Sequence, residues 1–380
     1  MAGFPIGAAA GIDELTTDPH PLLARLRRTE PVSWVPALDC WLVTSYAAAD
    51  RVLRDPATFT VDDPRFSTAQ VVGTSMLSTD GVEHTRHRGP FARVFRPAEV
   101  HGRFTESIAT RVRDLLDVLA PAGVGDVRTQ LAGPLAVGVV ADVLGLAVAT
   151  DTVLAWYAAI SDAVSGVSAG HDVTADGRAA FDALAERVRA AIGGRSLLAD
   201  VVRDGLAVDD AVANAAVLMF GGIDTTEGMI TNAVLHLLTY RVDPDEVADL
   251  VEESIRFEPA AAALDRYATR DVELAGASIR RGDPVTVSVS GANRDPLVFA
   301  EPDRFDVRRV NLRQHLAFAR GPHFCLGADL ARLETRAVIE AVSARLPALR
   351  LDPTRPATPR GLVFRKPPAL HVRWESGFNR

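Results

Sequence analysis

From about residue 100 to 255, apolar side chains return every three or four positions, in RFTESIATRVRDLLDVLA, VLAWYAAISDAVSGV and RAAFDALAERVRAAI, with loops rich in glycine, aspartate and proline between them. That periodicity limits the middle of the chain to packed helices. Strand-like alternation is confined to CWLVTSY near one end and to DVELAGASIRRGDPVTVSVSG and GLVFRKPPALHVRWE near the other. The expected fold is therefore mostly α with a minor β portion. At 380 residues and 48% hydrophobic content the chain can bury a sizeable core, and no repeat or low-complexity linker divides it. One domain over residues 1–380 is expected.

The 41 basic and 49 acidic residues give a formal charge of −8, which disfavours nucleic acid or an anionic membrane as the main partner. The N-terminal MAGFPIGAAAGIDELTTD has no basic leader, and no window approaches the roughly eighteen apolar residues of a membrane span. A cytoplasmic chain is expected. Its two cysteines, Cys40 and Cys325, then suit a reducing compartment as thiols better than as a disulfide.

Cys325 stands in FARGPHFCLG, a glycine-punctuated segment, and the following GADLARLETRAVIEAV repeats apolar residues at Leu326, Leu330, Leu333 and Ala337. The spacing puts the cysteine at the N-terminal end of a buried helix, where the helix dipole and backbone N–H groups favour the thiolate that a metal requires. A lone cysteine of this kind is more often a small buried apolar residue. The order Phe, x, x, Gly, x, His, x, Cys, x, Gly changes that balance, because it resembles the haem-ligand loop of the cytochrome P-450 family. Many members carry glycine directly after the phenylalanine, whereas this chain has Ala319, so the tight turn is expected to be made by other torsions.

The resemblance extends over nearly all 380 residues and implies the cytochrome P-450 fold, with haem b (iron protoporphyrin IX) between a distal acid–alcohol helix and the helix after the cysteine loop, and no fused reductase. Cys325 is then the axial ligand of the haem iron, and Phe318 packs beside it. The run VLMFGGIDTTEGMITNAVLHLL reads as a long apolar helix with Gly221 and Gly222 in its interior. Each glycine there costs about 0.5–1 kcal/mol relative to alanine, which makes sense where a group approaches the backbone closely, and a threonine bonding back to an earlier carbonyl helps to loosen the turn. By resemblance, Gly221 belongs to the cofactor contact, Asp224 is the acid connecting the site to solvent, and Thr225 is the alcohol through which protons are delivered as dioxygen is activated. Phe220 and Val217, with Ala261, Ala262 and Ala263 beside Ala260, match the substrate-pocket wall.

His84 and Arg88 in HTRHR share one helical face at i and i+4, and the resemblance assigns them, with Arg266 and His323, to polar contacts of the haem, since buried carboxylates need cationic or hydrogen-bonding partners. Glu253 and Arg256 in VEESIRFEP also share a helical face. They match the family's structural Glu-x-x-Arg pair. The implied activity is hydroxylation, or another oxidation, of a small, largely apolar substrate by dioxygen. It fits secondary-metabolite biosynthesis, with electrons from a separate ferredoxin and ferredoxin reductase docking on a basic patch of Arg93, Arg96 and Arg332. The same scaffold also supports desaturation, cyclisation, coupling or peroxygenation, and a non-catalytic haem sensor is the reading from another class. Loops at about Thr60–Asp80 and Val167–Asp176 are expected to cap the pocket.

Overall fold

The computed structural model describes residues 3–168, 171–194 and 196–376. The backbone forms two compact units. The first comprises the chain up to Thr60, Val112–Ala132 and everything from Thr225 onward; the second comprises Val61–Arg111 and Gly133–Asp224.

The first unit holds the β structure. Its main sheet runs in the order Val32–Val35, Cys40–Val43, Pro284–Ser288, Ala263–Ala268, Phe59–Thr60. All neighbours are antiparallel except Cys40–Val43 and Pro284–Ser288, which pair in parallel with Trp41 opposite Val285. Val32–Val35, Cys40–Val43 and Pro284–Ser288 carry the sheet's valines, whose β-branched side chains fit the pleated, half-buried surface. Val32, Val43, Val285 and Val287 join Leu53, Phe59, Leu316 and Ala319 in one core cluster. Trp41 belongs to it too and satisfies its indole N–H on Asp283 at 2.9 Å. Cys40 is buried in this sheet, and burial pushes its thiol up to about 12, so it stays a protonated, inert packing residue.

A smaller sheet sets His371–Arg373 between Val124–Asp126 and Arg350–Leu351. The sequence gives no sign of Val124–Asp126, a strand of three residues with two of them polar or glycine. GLVFRK forms no strand; it makes isolated bridges, Ala261 to Phe364 and Arg360 to Lys366.

The second unit is helical, with Gly81–Ala92, Gly133–Leu144, Thr150–Ser168, Ala175–Ile192 and Leu197–Arg203. Thr174 caps Ala175–Ile192 by accepting from the Gly177 N–H at 3.1 Å. A Cβ on Gly177 would lie 2.5 Å from that of Ala163, so the glycine permits close contact with Thr150–Ser168. The Thr60–Asp80 segment, expected as a loop, carries the helix Ser67–Val72. Of the other expected cap, residues 169 and 170 lie outside the described residues. Among the described residues no helix is long and apolar enough to cross a membrane.

Candidate active site

The cysteine loop belongs to the first unit and is organised by its backbone. The Cys325 N–H donates to the Phe318 carbonyl at 2.8 Å, Phe324 N–H to Gly321 at 3.1 Å, and Ala319 N–H to Leu316 at 2.8 Å. Ala319 adopts φ 57°. The expectation of other torsions is thus corrected: alanine takes the left-handed conformation itself, at a penalty of roughly 1–2 kcal/mol that the surrounding bonds offset. Gly321 has φ 69°, and a Cβ there would meet the Leu53 carbonyl at 2.7 Å, so only glycine fits. Cys325 is exposed, two positions ahead of Gly327, the N-cap of the helix Ala328–Arg345. The buried face of that helix is Leu330, Glu334, Thr335, Val338, Ile339 and Val342. This corrects the expected stripe: Leu326 precedes the helix, and Leu333 and Ala337 are only half-buried. Glu334 is fully buried, and burial raises its carboxyl well above the ordinary range, so it is held protonated.

His323 closes the short turn Gly321–His323. Arg266 is buried in the strand Ala263–Ala268 and donates to the Asp265 carbonyl at 2.7 Å. Ala262 and Ala263 are buried, and Ala260 and Ala261 half-buried; Ala262 N–H donates to Val363 at 2.7 Å and Arg365 N–H to Ala260 at 2.9 Å, so this alanine run is paired to the 360s turn. Glu253 and Arg256 have fully buried side chains joined by two parallel bonds of 2.7 Å. Arg256 also donates to the carbonyls of Asn293 and Pro302 at 3.0 Å, and Glu253 accepts from the Asp306 N–H at 2.8 Å. The pair ties the helix Val247–Phe257 to the irregular chain at 293–306.

Val208–Tyr240 is α-helical without interruption through Gly221, Gly222, Asp224 and Thr225. Its residues through Asp224 belong to the second unit, and Thr225 onward to the first. A Cβ on Gly222 would press to 2.7 Å against Val140, whereas one on Gly221 would meet nothing within 4 Å. Asp224 and Thr225 are half-buried. Val217 is buried, and the Phe220 ring lies 6.4 Å from that of Tyr157. His84 is buried and Arg88 half-buried on the helix Gly81–Ala92. The expected residues therefore divide between the two units: His84, Arg88, Val217, Phe220, Gly221 and Asp224 in the second, the rest in the first.

The arginines expected to form a docking patch are partly engaged. Arg93 pairs with Asp204 at 3.4 Å, and Arg332 is bound by Glu252 at 2.6 and 3.1 Å. Sequence reading missed Glu252, whose partners at 315 and 332 are remote in the chain. It also missed His87, which bonds Asn214 at 2.8 Å, and Glu227, which pairs with Arg128 at 3.1 Å and with Lys366. Lys366 is the single lysine of the sequence, the one signal that singled it out.

Among the described residues no group of three or more His, Cys, Asp or Glu side chains is arranged to hold a bare metal ion. The exposed Cys325 thiol, two positions ahead of a helix N-cap, is chemically suited to ligate a metal as a thiolate.

A family model described as Cytochrome P-450 matches residues 247–368. Cytochrome P-450 monooxygenase PikC of Streptomyces venezuelae is 33% identical over 408 aligned residues, which cover 96% of this chain and 93% of that protein. Nocardicin C N-oxygenase of Nocardia uniformis subsp. tsuyamanensis is 33% identical, with 98% of each chain covered. The crystal structure of CalO2 superposes with a TM-score of 0.85 at 31% identity, covering 97% of this chain and 99% of that one.

Proposed function

The chain belongs to the cytochrome P-450 family, a haem-dependent monooxygenase by descent, and from that premise we propose that it oxidises a small, largely apolar substrate in secondary-metabolite biosynthesis. Electrons come from a separate ferredoxin and its reductase. Two relatives support the pathway type by their names, PikC as a monooxygenase of a streptomycete and nocardicin C N-oxygenase as an oxidising enzyme of a named natural product. We take residues 1–380 as one functional unit.

The observation that carries this reading is the Cys325 loop, in which a backbone bond to Phe318 and a helix N-terminus present an exposed thiol. Bound there, haem would supply dioxygen activation, with the Cys325 thiolate as its protein ligand. Everything else falls to the chain. Cys325 would hold the iron, with Phe318 packed beside it. His84, Arg88, Arg266 and His323 answer the haem carboxylates with charge and hydrogen bonds. Gly221, where a Cβ would meet nothing within 4 Å, would let the cofactor approach the helix. Asp224 takes protons from solvent on its carboxylate, and the Thr225 hydroxyl hands them on. Val217, Phe220 and Ala261–Ala263 shape the substrate volume, and Glu253 with Arg256 holds the backbone ahead of the cysteine loop.

The test is the carbon monoxide difference spectrum of the reduced protein. The parent is expected to show the long-wavelength band of thiolate ligation, and Cys325→Ser to lose it; an identical spectrum in both would refute the reading. Phe220→Ala is expected to widen the range of ligands that perturb the haem spectrum in a titration against terpenoid, polyketide and aromatic compounds. An unchanged ligand profile places that ring away from the pocket.

A further inference from the structure

Glu252 neighbours the structural Glu253 and is just as fully buried, yet it serves a different part of the chain. Its carboxylate accepts from Arg332 Nε at 2.6 Å and Nη2 at 3.1 Å, and from His315 Nε2 at 3.1 Å. The histidine tautomer follows from its other contact: the Ala317 N–H donates to His315 Nδ1 at 3.3 Å, so Nε2 carries the proton and donates to Glu252. The imidazole is thus neutral, and the balancing charge comes from the bonded Arg332 guanidinium and from the more exposed Arg313 at 3.8 Å.

Both groups held by Glu252 touch the same ring. The Arg332 guanidinium carbon lies 4.5 Å from the centroid of Phe318, and the His315 ring lies 5.8 Å from it. Phe318 in turn provides the carbonyl that accepts the Cys325 N–H. A single buried carboxylate therefore fixes an arginine and a histidine against the residue that anchors the cysteine. Burial alone would raise the Glu252 carboxyl, but the bonds from His315 and Arg332 outweigh it and hold it at about 2, so the clamp is ionised at any working pH.

We propose that Glu252 is a positioning residue for the cysteine loop: through Arg332 and His315 it immobilises Phe318 and so sets how firmly the Cys325 sulfur is held as a ligand and how strongly it donates. This rests on the haem-thiolate reading above. It also gives Arg332 an internal task in place of the docking task expected from sequence.

The experiment uses the haem-loaded protein and reads the reduced carbon monoxide spectrum over time and the reduction potential. In Glu252→Gln the thiolate-type band is expected to decay several-fold faster than in the parent. The potential is expected to move to more positive values, because a negative charge behind the Phe318 anchor of the cysteine loop has been removed. Arg332→Lys, which keeps the charge but loses the planar contact and the bidentate pairing, should reproduce the faster decay and serves if Glu252→Gln does not fold. Glu258→Gln, which breaks a buried pair with Arg365 elsewhere, is the control for instability alone and should leave both readouts unchanged. A folded, haem-bound Glu252→Gln or Arg332→Lys protein with parental band lifetime and potential overturns the proposal while the functional reading stands. A parent without the thiolate-type band removes the functional reading and this inference with it.

Discussion

Adjacent glycines in the Val208–Tyr240 helix answer to different constraints. Gly222 is needed by packing, since its Cβ would meet Val140 at 2.7 Å, while Gly221 has open space around it. Gly222→Ala is therefore expected to destabilise by about 1–3 kcal/mol, the usual range for overpacking a well-filled contact. Gly221→Ala should be neutral or stabilise the cofactor-free chain by up to about 1 kcal/mol, because alanine is the better helix former. Its effect should appear in haem loading and carbon monoxide binding. Thermal melts with and without haem distinguish the two, and equal melting shifts for both variants would contradict the assignment. Sequence flags both residues as costly without saying which contact each one serves. Ala319 was legible as a departure from the usual glycine, but its torsion was not, because bonds from Ala319 to Leu316 and from Cys325 to Phe318 impose it, and a motif does not display such bonds.

At the scale of elements, helical periodicity located Pro97–Leu119, Thr150–Ser168 and Ala175–Ile192, and partial alternation located the strands at 40–43 and 284–288. It located Ala328–Arg345 as well but not its buried face, which passes through Glu334 and Thr335; a polarity pattern assigns a glutamate to solvent, and only the packing around the helix keeps it protonated and inside. VEES likewise shows two neighbouring acids of which spacing explains one. Glu253 finds Arg256 three residues away, whereas the partners of Glu252 come from 315 and 332. Because Glu253 and Arg256 are buried and hold carbonyls at 293 and 302, Arg256→Lys is expected to lower unfolding free energy by on the order of 3 kcal/mol. Arg25→Lys, in an exposed pair with Glu14, should stay within about 0.5 kcal/mol. Denaturant midpoints of the two variants measure the contrast, and similar small losses would mean the buried pair ties nothing down.

For the whole molecule, acidification acts in two windows. His236 is buried beside Phe257 and Phe305 and bonded to Ser254, and burial lowers it to about 4. For this group the unfolded chain therefore binds the extra proton first, and the His236 contribution falls as pH drops from about 6.5 toward 4, by about 3 kcal/mol at roughly 1.4 kcal/mol per pKa unit, while the buried, protonated Glu334 works in the opposite direction until the unfolded carboxyl also binds its proton. Glu258 is also held at about 2: burial raises it, but its bond and charge contact with His20 and the nearby Arg365 and Arg294 prevail. Its contribution, like that of Glu252, is complete above about pH 4.5 and is lost as pH falls through about 2. The stability difference between the parent and His236→Asn, measured against pH, should change across the upper window and stay constant through the lower one, the remaining upper-window dependence belonging to His315 and His87, which burial also lowers, and to Glu334, which it raises. A difference that stays constant across the upper window as well would contradict the assignment.

Leu370 N–H donates to Asp126, 244 positions earlier, and the next residues pair with Val124–Asp126. At translation rates of roughly 5–20 residues per second, that early edge waits about 10–50 s on the ribosome before its partner emerges. Nascent chains that stop short of residue 371 keep an open strand edge for as long as they persist, which makes them natural clients for chaperones and early substrates for degradation.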